Sequence, residues 1–189
     1  MTSIILYTIF MTFTPGPNNI MSMNNAKNVG FRKGIKFNFG ILVGSLFIMV
    51  LCLWFSSFLY KVVPKVQFPM KILGTLYMVY LIIKTIVPSK ENKIRDNNGS
   101  FIIGALLQLI NPKVILFGIM VMSSYILPNY QGVPTLILFV FSIALVGFTA
   151  TLCWALFGSV FKVVFCKQKK LIDIIMVVLL LYCAISLFI

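Results

Sequence analysis

The chain of 189 residues is 60% hydrophobic and has a mean hydropathy of +1.05, whereas soluble domains are about 45–50% apolar. Sixteen lysines and arginines against three acids give a net charge of +13, and the basic residues lie mainly between apolar stretches. This placement is typical of membrane-protein loops that face anionic lipid, and it argues against a soluble protein that binds nucleic acid.

The residue types present also argue against an enzyme. The chain has no histidine, so neither a Ser/His nor a Cys/His nucleophile can be assembled. Its three acids do not form a carboxylate pair for general acid/base chemistry. Its cysteines have neither metal-binding nor redox spacing. We therefore predict no catalytic residues, no metal and no cofactor. These acids and cysteines are Glu91, Asp96, Asp173, Cys52, Cys153, Cys166 and Cys183.

Six apolar segments follow one another along the chain, each near the roughly 20 residues that a spanning helix needs. The first lacks a basic leader and a cleavage site, so we expect a retained helix rather than a signal peptide. A polar stretch at 89–100 is the only obvious linker. The sequence predicts an all-α membrane protein forming one transporter domain over residues 1–189. The predicted segments are residues 3–25, 37–60, 68–88, 101–127, 134–161 and 171–189.

The linker divides the chain into two similar halves, residues 1–88 and 101–189. Each half opens with a proline-interrupted segment, and the second segments carry similar runs around Trp54 and Trp154. Because each half has three spans, the second half would have the opposite orientation in the membrane, which is the pattern of an inverted repeat. The alternative is the general likeness of all helical membrane proteins.

The distribution of basic residues predicts the orientation. Residues 27–36, 84–95 and 162–170 each contain four lysines or arginines, whereas the opposite side has only Lys61, Lys65 and Lys71. Cytoplasmic loops are rich in basic residues. We therefore expect these three loops and the linker to be cytoplasmic, and both termini to be extracytoplasmic.

The two interrupted segments are the most informative features of the sequence. Thr14-Pro15 and Asn111-Pro112 each place a capping residue before a proline, which favours a new helix start within the membrane. Such a start carries roughly half a positive charge and suits a carboxylate. Two simple proline kinks are the alternative. The predicted substrate-binding residues are Thr14, Pro15, Gly16, Pro17, Asn18, Asn19, Asn111, Pro112 and Lys113.

Lys113 lies midway along the fourth segment, where a lysine costs about 2.5–3.5 kcal/mol on insertion scales. We expect it to face a cavity and bind an anionic substrate group, unless the break lifts it to the membrane surface. The amides of Asn18 and Asn19 are candidates for the substrate ammonium, or they line the break as structural residues.

Three further residues have expected roles outside the predicted carboxylate site. Gly40 and Gly44 are spaced for close helix packing. Asp173 is the only acid within a predicted helix. It could couple transport to protons, but pairing with Lys169 or Lys170 is the favoured alternative.

These motifs resemble the LysE/RhtB superfamily of amino-acid exporters over the whole chain. The residues that carry the resemblance are Thr14-Pro-Gly-Pro-Asn-Asn19, Gly30-Phe-Arg-Lys-Gly34, Gly40, Gly44 and Asn111-Pro-Lys113. Within the superfamily, three runs are most similar to the cysteine/O-acetylserine exporters, namely Ile126-Leu-Pro128, Leu152-Cys-Trp-Ala-Leu156 and Leu181-Tyr-Cys-Ala184.

The resemblance implies export across the bacterial plasma membrane, driven by the proton gradient. Facilitated efflux is the alternative, because the sequence has no clear proton-carrying carboxylate. No membrane acid lies near the breaks to bind a second positive charge, so we expect a neutral amino acid or derivative as substrate. Homoserine, threonine and leucine are alternatives, as is a non-transporting assembly protein. The expected partners are the substrate, the lipid bilayer and, in a homodimer, a second copy of the chain.

Overall fold

The computed structural model describes residues 2–86 and 101–160, and the single positions 174, 175, 177, 178, 181, 182 and 185. All regular structure in this part of the chain is helical. The predicted linker at 89–100, most of the sixth segment and Asp173 lie outside the described residues. The helices are α1 (Thr2–Phe13), α2 (Pro17–Val29), α3 (Phe31–Ile86), α4 (Phe101–Ile110), α5 (Pro112–Met120), a π-helix (Val121–Ile126) and α6 (Val133–Val160).

Two stretches are long and apolar enough to cross a membrane by themselves, Phe31–Phe55 and Val133–Val160. A third crossing is formed if α4 and the helix over Pro112–Ile126 count as one span, bent by 62° at Asn111. The described part of the chain therefore has two or three candidate spans, which accords with an all-α membrane protein. The predicted fifth segment corresponds closely to α6.

The second and third predicted segments are joined in one helix. α3 contains 56 residues and continues through residues 61–67, where the sequence analysis placed a turn. At 1.5 Å per residue it is about 84 Å long, far more than the roughly 30 Å hydrocarbon core. No glycine lies between Gly44 and Gly74 to end the helix in a left-handed turn. Pro64 and Pro69 do lie in this stretch, and each removes a backbone hydrogen bond and favours a kink in the helix.

The first predicted loop is also shorter than expected. α2 and α3 are separated only by Gly30, whose φ of +85° is readily reached without a Cβ. The basic residues of this loop are therefore helical: Lys27 lies in the last turn of α2 and Arg32 in the first turn of α3. The backbone around Gly34 lies close to Ala26, which shows that α2 and α3 fold back on each other.

Glycines bring α3 and α4 into close contact. A Cβ on Gly40 would overlap the carbonyl of Phe101, and one on Gly44 would lie 2.6 Å from the carbonyl oxygen of Ala105. The opposite side of the contact also has a glycine, Gly104, against the carbonyl of Phe37. This packing holds the start of the second half of the chain against the first.

Candidate functional site

The first helix break differs in detail from its predicted form. α1 ends at Phe13 and α2 begins at Pro17, so the second proline of the Pro-Gly-Pro run occupies the first helical turn. The Thr14 hydroxyl donates back to the Met11 carbonyl at 3.1 Å and does not cap α2. The predicted start at Thr14-Pro15 is therefore wrong by two residues. Gly16, in an extended conformation, precedes Pro17 and offers no side-chain cap.

The second break has the predicted capped helix start. Asn111 is extended, and its side-chain oxygen accepts a hydrogen bond from the backbone N–H of Lys113 at 3.1 Å. Pro112 follows at the first helical position, where a missing N–H costs nothing. The two breaks are thus unequal, because α5 has a side-chain cap and α2 does not.

The carbonyl groups that lose their helical partners at the first break accept hydrogen bonds from side chains of α2 and α6. The Asn19 amide donates to the carbonyls of Thr12 at 2.8 Å and Thr14 at 2.9 Å. The indole of Trp154 on α6 donates to the Phe13 carbonyl at 3.2 Å. Such groups must be satisfied internally because the hydrocarbon core has no water to bind them. Asn19 is accordingly buried, and its amide hydrogens are used within the break.

Lys113 connects the two breaks across 99 residues of sequence. Its ammonium donates to the Thr14 hydroxyl at 2.9 Å and to the carbonyls of Thr14 at 3.1 Å and Pro15 at 3.2 Å. These oxygens follow the C-terminal end of α1, where the helix dipole favours a positive charge. The expected cation in the middle of the fourth segment therefore contacts the backbone of the first break.

A second group of polar side chains, the amide cluster, lies across the cavity from Lys113 and consists of Asn18, Gln108, Asn111 and Ser45. Asn18 and Gln108 exchange two hydrogen bonds, of 2.8 and 3.1 Å. The Asn18 side-chain oxygen also accepts from the Asn111 amide at 2.8 Å, and the Ser45 hydroxyl donates to Gln108 at 3.4 Å. Gln108 is fully buried. The cluster ties α2, α3 and α4 to the Asn111 cap.

A cavity of about 60 Å³ lies between these two groups of polar residues. One water needs about 10–15 Å³, so the space holds a few waters or a solute of comparable size. The polar side of the cavity comes from both breaks together with Ser45 and Thr151. The apolar side comes mainly from Met11, Ile41, Met49, Val114, Phe117, Ile143 and Ala144.

The electrostatics of this cavity favour an anion. The first N–H groups of any helix have no partner within the helix, and at α2 no side chain caps them. A Cβ on Gly16 would lie 3.1 Å from the Lys113 ammonium nitrogen, so that charge is next to the α2 N-terminus. Helix N-termini bind anions through their N–H groups and dipole.

The structure brings most of the sequence-predicted site residues together. Gly16, Pro17, Asn18, Asn19, Asn111 and Lys113 line the cavity. Oxygens of Thr14 and Pro15 accept hydrogen bonds from the Lys113 ammonium. Pro112 is buried next to Asn111, the residue that caps α5. Gly40 and Gly44, which the sequence analysis assigned to helix packing and not to the site, lie at the α3–α4 contact.

The sequence analysis missed Gln108, Ser45 and Thr151 as site residues. Gln108 had a usable signal, because a glutamine in the apolar run 101–110 is costly in a membrane unless it has partners. Ser45 and Thr151 had none, since single hydroxyls are common in spanning helices and bond readily to their own backbone.

Comparisons with known proteins give consistent matches. A model of the LysE type translocator family matches residues 9–189. The cysteine/O-acetylserine efflux protein of Escherichia coli strain K12 is 32% identical over 183 residues, or 96% of this chain and 94% of that protein. The protein of the same name from Shigella flexneri serotype 5b has the same identity and coverage. No solved structure matches the chain.

Proposed function

The chain belongs to the LysE family of translocators, and from this premise we propose that it exports small neutral amino acids of the cysteine/O-acetylserine kind across the bacterial plasma membrane. Its family members are transporters and not enzymes. The observation that carries the choice of site is the cavity at which the uncapped N-terminus of α2 and the Lys113 ammonium meet.

The substrate carboxylate would bind at the α2 N-terminus beside Lys113. The ammonium of Lys113 already contacts three oxygens, so it would shift toward the carboxylate while keeping part of that contact. A hydrogen bond to a charged group contributes about 1.5–3 kcal/mol. Substrate binding is favoured because the Lys113 ammonium exchanges some of its bonds to neutral protein oxygens for a bond to the charged carboxylate. The lysine keeps hydrogen-bond partners throughout.

The substrate ammonium would bind on the amide side of the cavity. Ser45 supplies a hydroxyl oxygen there, and the Asn18 side-chain oxygen would exchange one of its two present donors, Gln108 or Asn111, for the ammonium. Asn19 would act indirectly, by holding the carbonyls of the break in place. No described residue that lines the cavity is acidic, which supports a neutral amino acid over lysine or arginine as the substrate.

The test is efflux of labelled cysteine and O-acetylserine from cells that overexpress the protein. Wild type should raise efflux above an empty vector, and Lys113→Ala should lower that gain about tenfold or more, since each 1.4 kcal/mol is a factor of ten. Lys36→Ala, which removes an exposed charge at the start of α3, is the matched control. Membrane levels of all three proteins are compared by immunoblot.

Each outcome has a defined meaning. Full efflux by Lys113→Ala would contradict the carboxylate site. No efflux of either substrate would move the proposal to homoserine, threonine or leucine, tested in the same cells. A resistance assay against toxic levels of these amino acids gives an independent readout.

We further propose six spans arranged as two inverted three-helix repeats, with both termini extracytoplasmic. The proposal is supported by the occurrence of a break near the start of each half, at Thr14–Gly16 and at Asn111. Each break is followed by a short helix, α2 or α5, and later by a long apolar helix, α3 or α6. The six-span form requires a turn within α3. A homodimer and proton coupling through Asp173 remain predictions, for which cross-linking in membranes and efflux by Asp173→Asn are the tests.

A further inference from the structure

Three buried polar side chains lie beyond the cavity, toward the Gly30 end of α2. Thr151 lines the cavity, and its carbonyl accepts a hydrogen bond from the Asn38 amide at 3.3 Å. The Asn38 side-chain oxygen, the Ser22 hydroxyl and the whole Asn25 amide have no hydrogen-bond partner among the described residues. Ser22 is 1% exposed, Asn25 6% and Asn38 0%.

The helix geometry brings Ser22 and Asn38 to the same level. α2 and α3 fold back at Gly30, and Ala26 contacts Gly34. Ser22 lies one turn before Ala26, and Asn38 lies one turn after Gly34, so both face the α2–α3 contact. Asn25 is three residues from Ser22 and shares its side of α2.

Two close contacts shut this route beyond Ser22. A Cβ on Gly34 would lie 3.4 Å from the Ala26 Cα, and a Cβ on Gly158 would overlap the Met23 carbonyl. α2 is thus in ordinary van der Waals contact with α3 at Gly34 and in a much closer backbone approach to α6 at Gly158. The basic residues Lys27, Arg32 and Lys33 lie at the same end of the bundle.

Unpartnered polar groups in a dry interior destabilise the conformation that buries them. A buried polar group without a protein partner calls for an explanation, and exposure to water or substrate in another conformation is one that fits the position of these groups. They lie here in line between the cavity and the basic end of the bundle, which the excess of lysine and arginine assigns to the cytoplasm.

We propose that Ser22, Asn25 and Asn38 line the path by which an amino acid enters the cavity from the cytoplasm, shut in this structure by the contacts of α2 with Gly34 and Gly158. The proposal rests on the proposed export function. Entry would require α2 to move away from α3 and α6, which exposes these polar groups to water and substrate.

The first test is thiol labelling from the basic side of the membrane. Ser22→Cys, Asn25→Cys and Asn38→Cys are introduced singly into a variant whose four native cysteines are replaced by serine. Inside-out vesicles are treated with a membrane-impermeant maleimide. All three positions should label, and faster with cysteine-free substrate such as O-acetylserine present. Ile48→Cys, equally buried in the core but not among the residues that line the cavity, should stay unlabelled.

The second test distinguishes two roles for the buried polar residues, lining a transport path or stabilising the fold. Asn25→Leu keeps the side-chain size and removes the unpartnered amide. A path residue predicts a higher midpoint of thermal unfolding together with an efflux rate lowered about tenfold or more. A structural residue predicts the opposite pair, a lower midpoint with wild-type efflux per folded molecule.

The outcomes distinguish this inference from the function on which it rests. Labelling at the three positions supports the path even if the substrate proves to be another amino acid. Wild-type export by Asn25→Leu, or absence of labelling in cysteine variants that still export, would overturn the path and leave the export function standing.

Discussion

Lys113 and Asn111 are separated in the chain only by Pro112 but act on opposite sides of the cavity. The lysine ammonium binds the first break, whereas the Asn111 side chain caps α5 and donates to Asn18. A cap contributes about 1 kcal/mol, and loss of an amide donor in a dry site costs a similar amount. The Asn111 side chain therefore has two roles, capping α5 and binding Asn18 in the amide cluster, and substitutions can separate them.

Asn111→Asp should retain the cap and lose the bond to Asn18. The carboxylate still accepts from the Lys113 N–H, so the thermal unfolding midpoint should stay within a few degrees of wild type. The added negative charge beside the cavity repels a substrate carboxylate, so efflux should fall about tenfold or more. Efflux is measured in overexpressing cells and unfolding in detergent.

Asn111→Ala is the matched variant, because it removes both the cap and the amide bond. It should lose about 1–2 kcal/mol of stability and also lose efflux. Equal stability of the alanine and wild-type proteins would show that the cap contributes nothing in the membrane.

At the scale of elements, the contact of α3 with α4 depends on backbone approaching backbone. The carbonyl of Phe101 lies where a Cβ on Gly40 would be, and a carbonyl cannot rotate away as a side chain can. Because α4 leads directly into Gln108 and the second break, separation of these helices would also disturb the amide cluster.

Gly40→Ala should therefore destabilise the protein by about 1–3 kcal/mol, the usual cost of overpacking. Gly147→Ala is the control for stability, because its Cβ would lie at an ordinary 3.8 Å from the Thr12 methyl. Thermal unfolding in detergent compares the two. A Gly40→Ala protein as stable as the control would mean that α3 and α4 are farther apart in the membrane.

At the scale of the whole molecule, the number of spans depends on α3. If α3 crosses the membrane once, the chain has five crossings, counting each broken helix and the sixth segment as one. If it turns within residues 61–67, the chain has six. The two cases differ in parity, because an even number of crossings leaves both termini on one side.

Reporter fusions at the two termini decide between these cases. The six-span proposal predicts that a reporter active only in the cytoplasm is silent at both ends and active at the linker 89–100. Its activity at one terminus alone would support five spans and contradict the inverted repeat.

The sequence by itself determined the class of protein, the helical breaks and the basic end of the bundle. Hydropathy, proline position and charge are local properties, so no knowledge of packing is needed to interpret them. They predicted the Asn111 cap correctly, but placed the first helix start at Thr14-Pro15 instead of Pro17, because both prolines of the run suit a first turn.

Only the tertiary structure decided which polar side chains form hydrogen bonds with each other across the two halves of the chain. Lys113 and Thr14 are 99 residues apart, and Asn18 and Gln108 are 90 apart, so no local pattern predicts either pair. The same holds for the unpartnered amides at Asn25 and Asn38, since satisfaction of a polar group depends on everything packed around it. Contacts between the halves of the chain thus define the cavity, while the sequence defines the chemistry that each half brings to it.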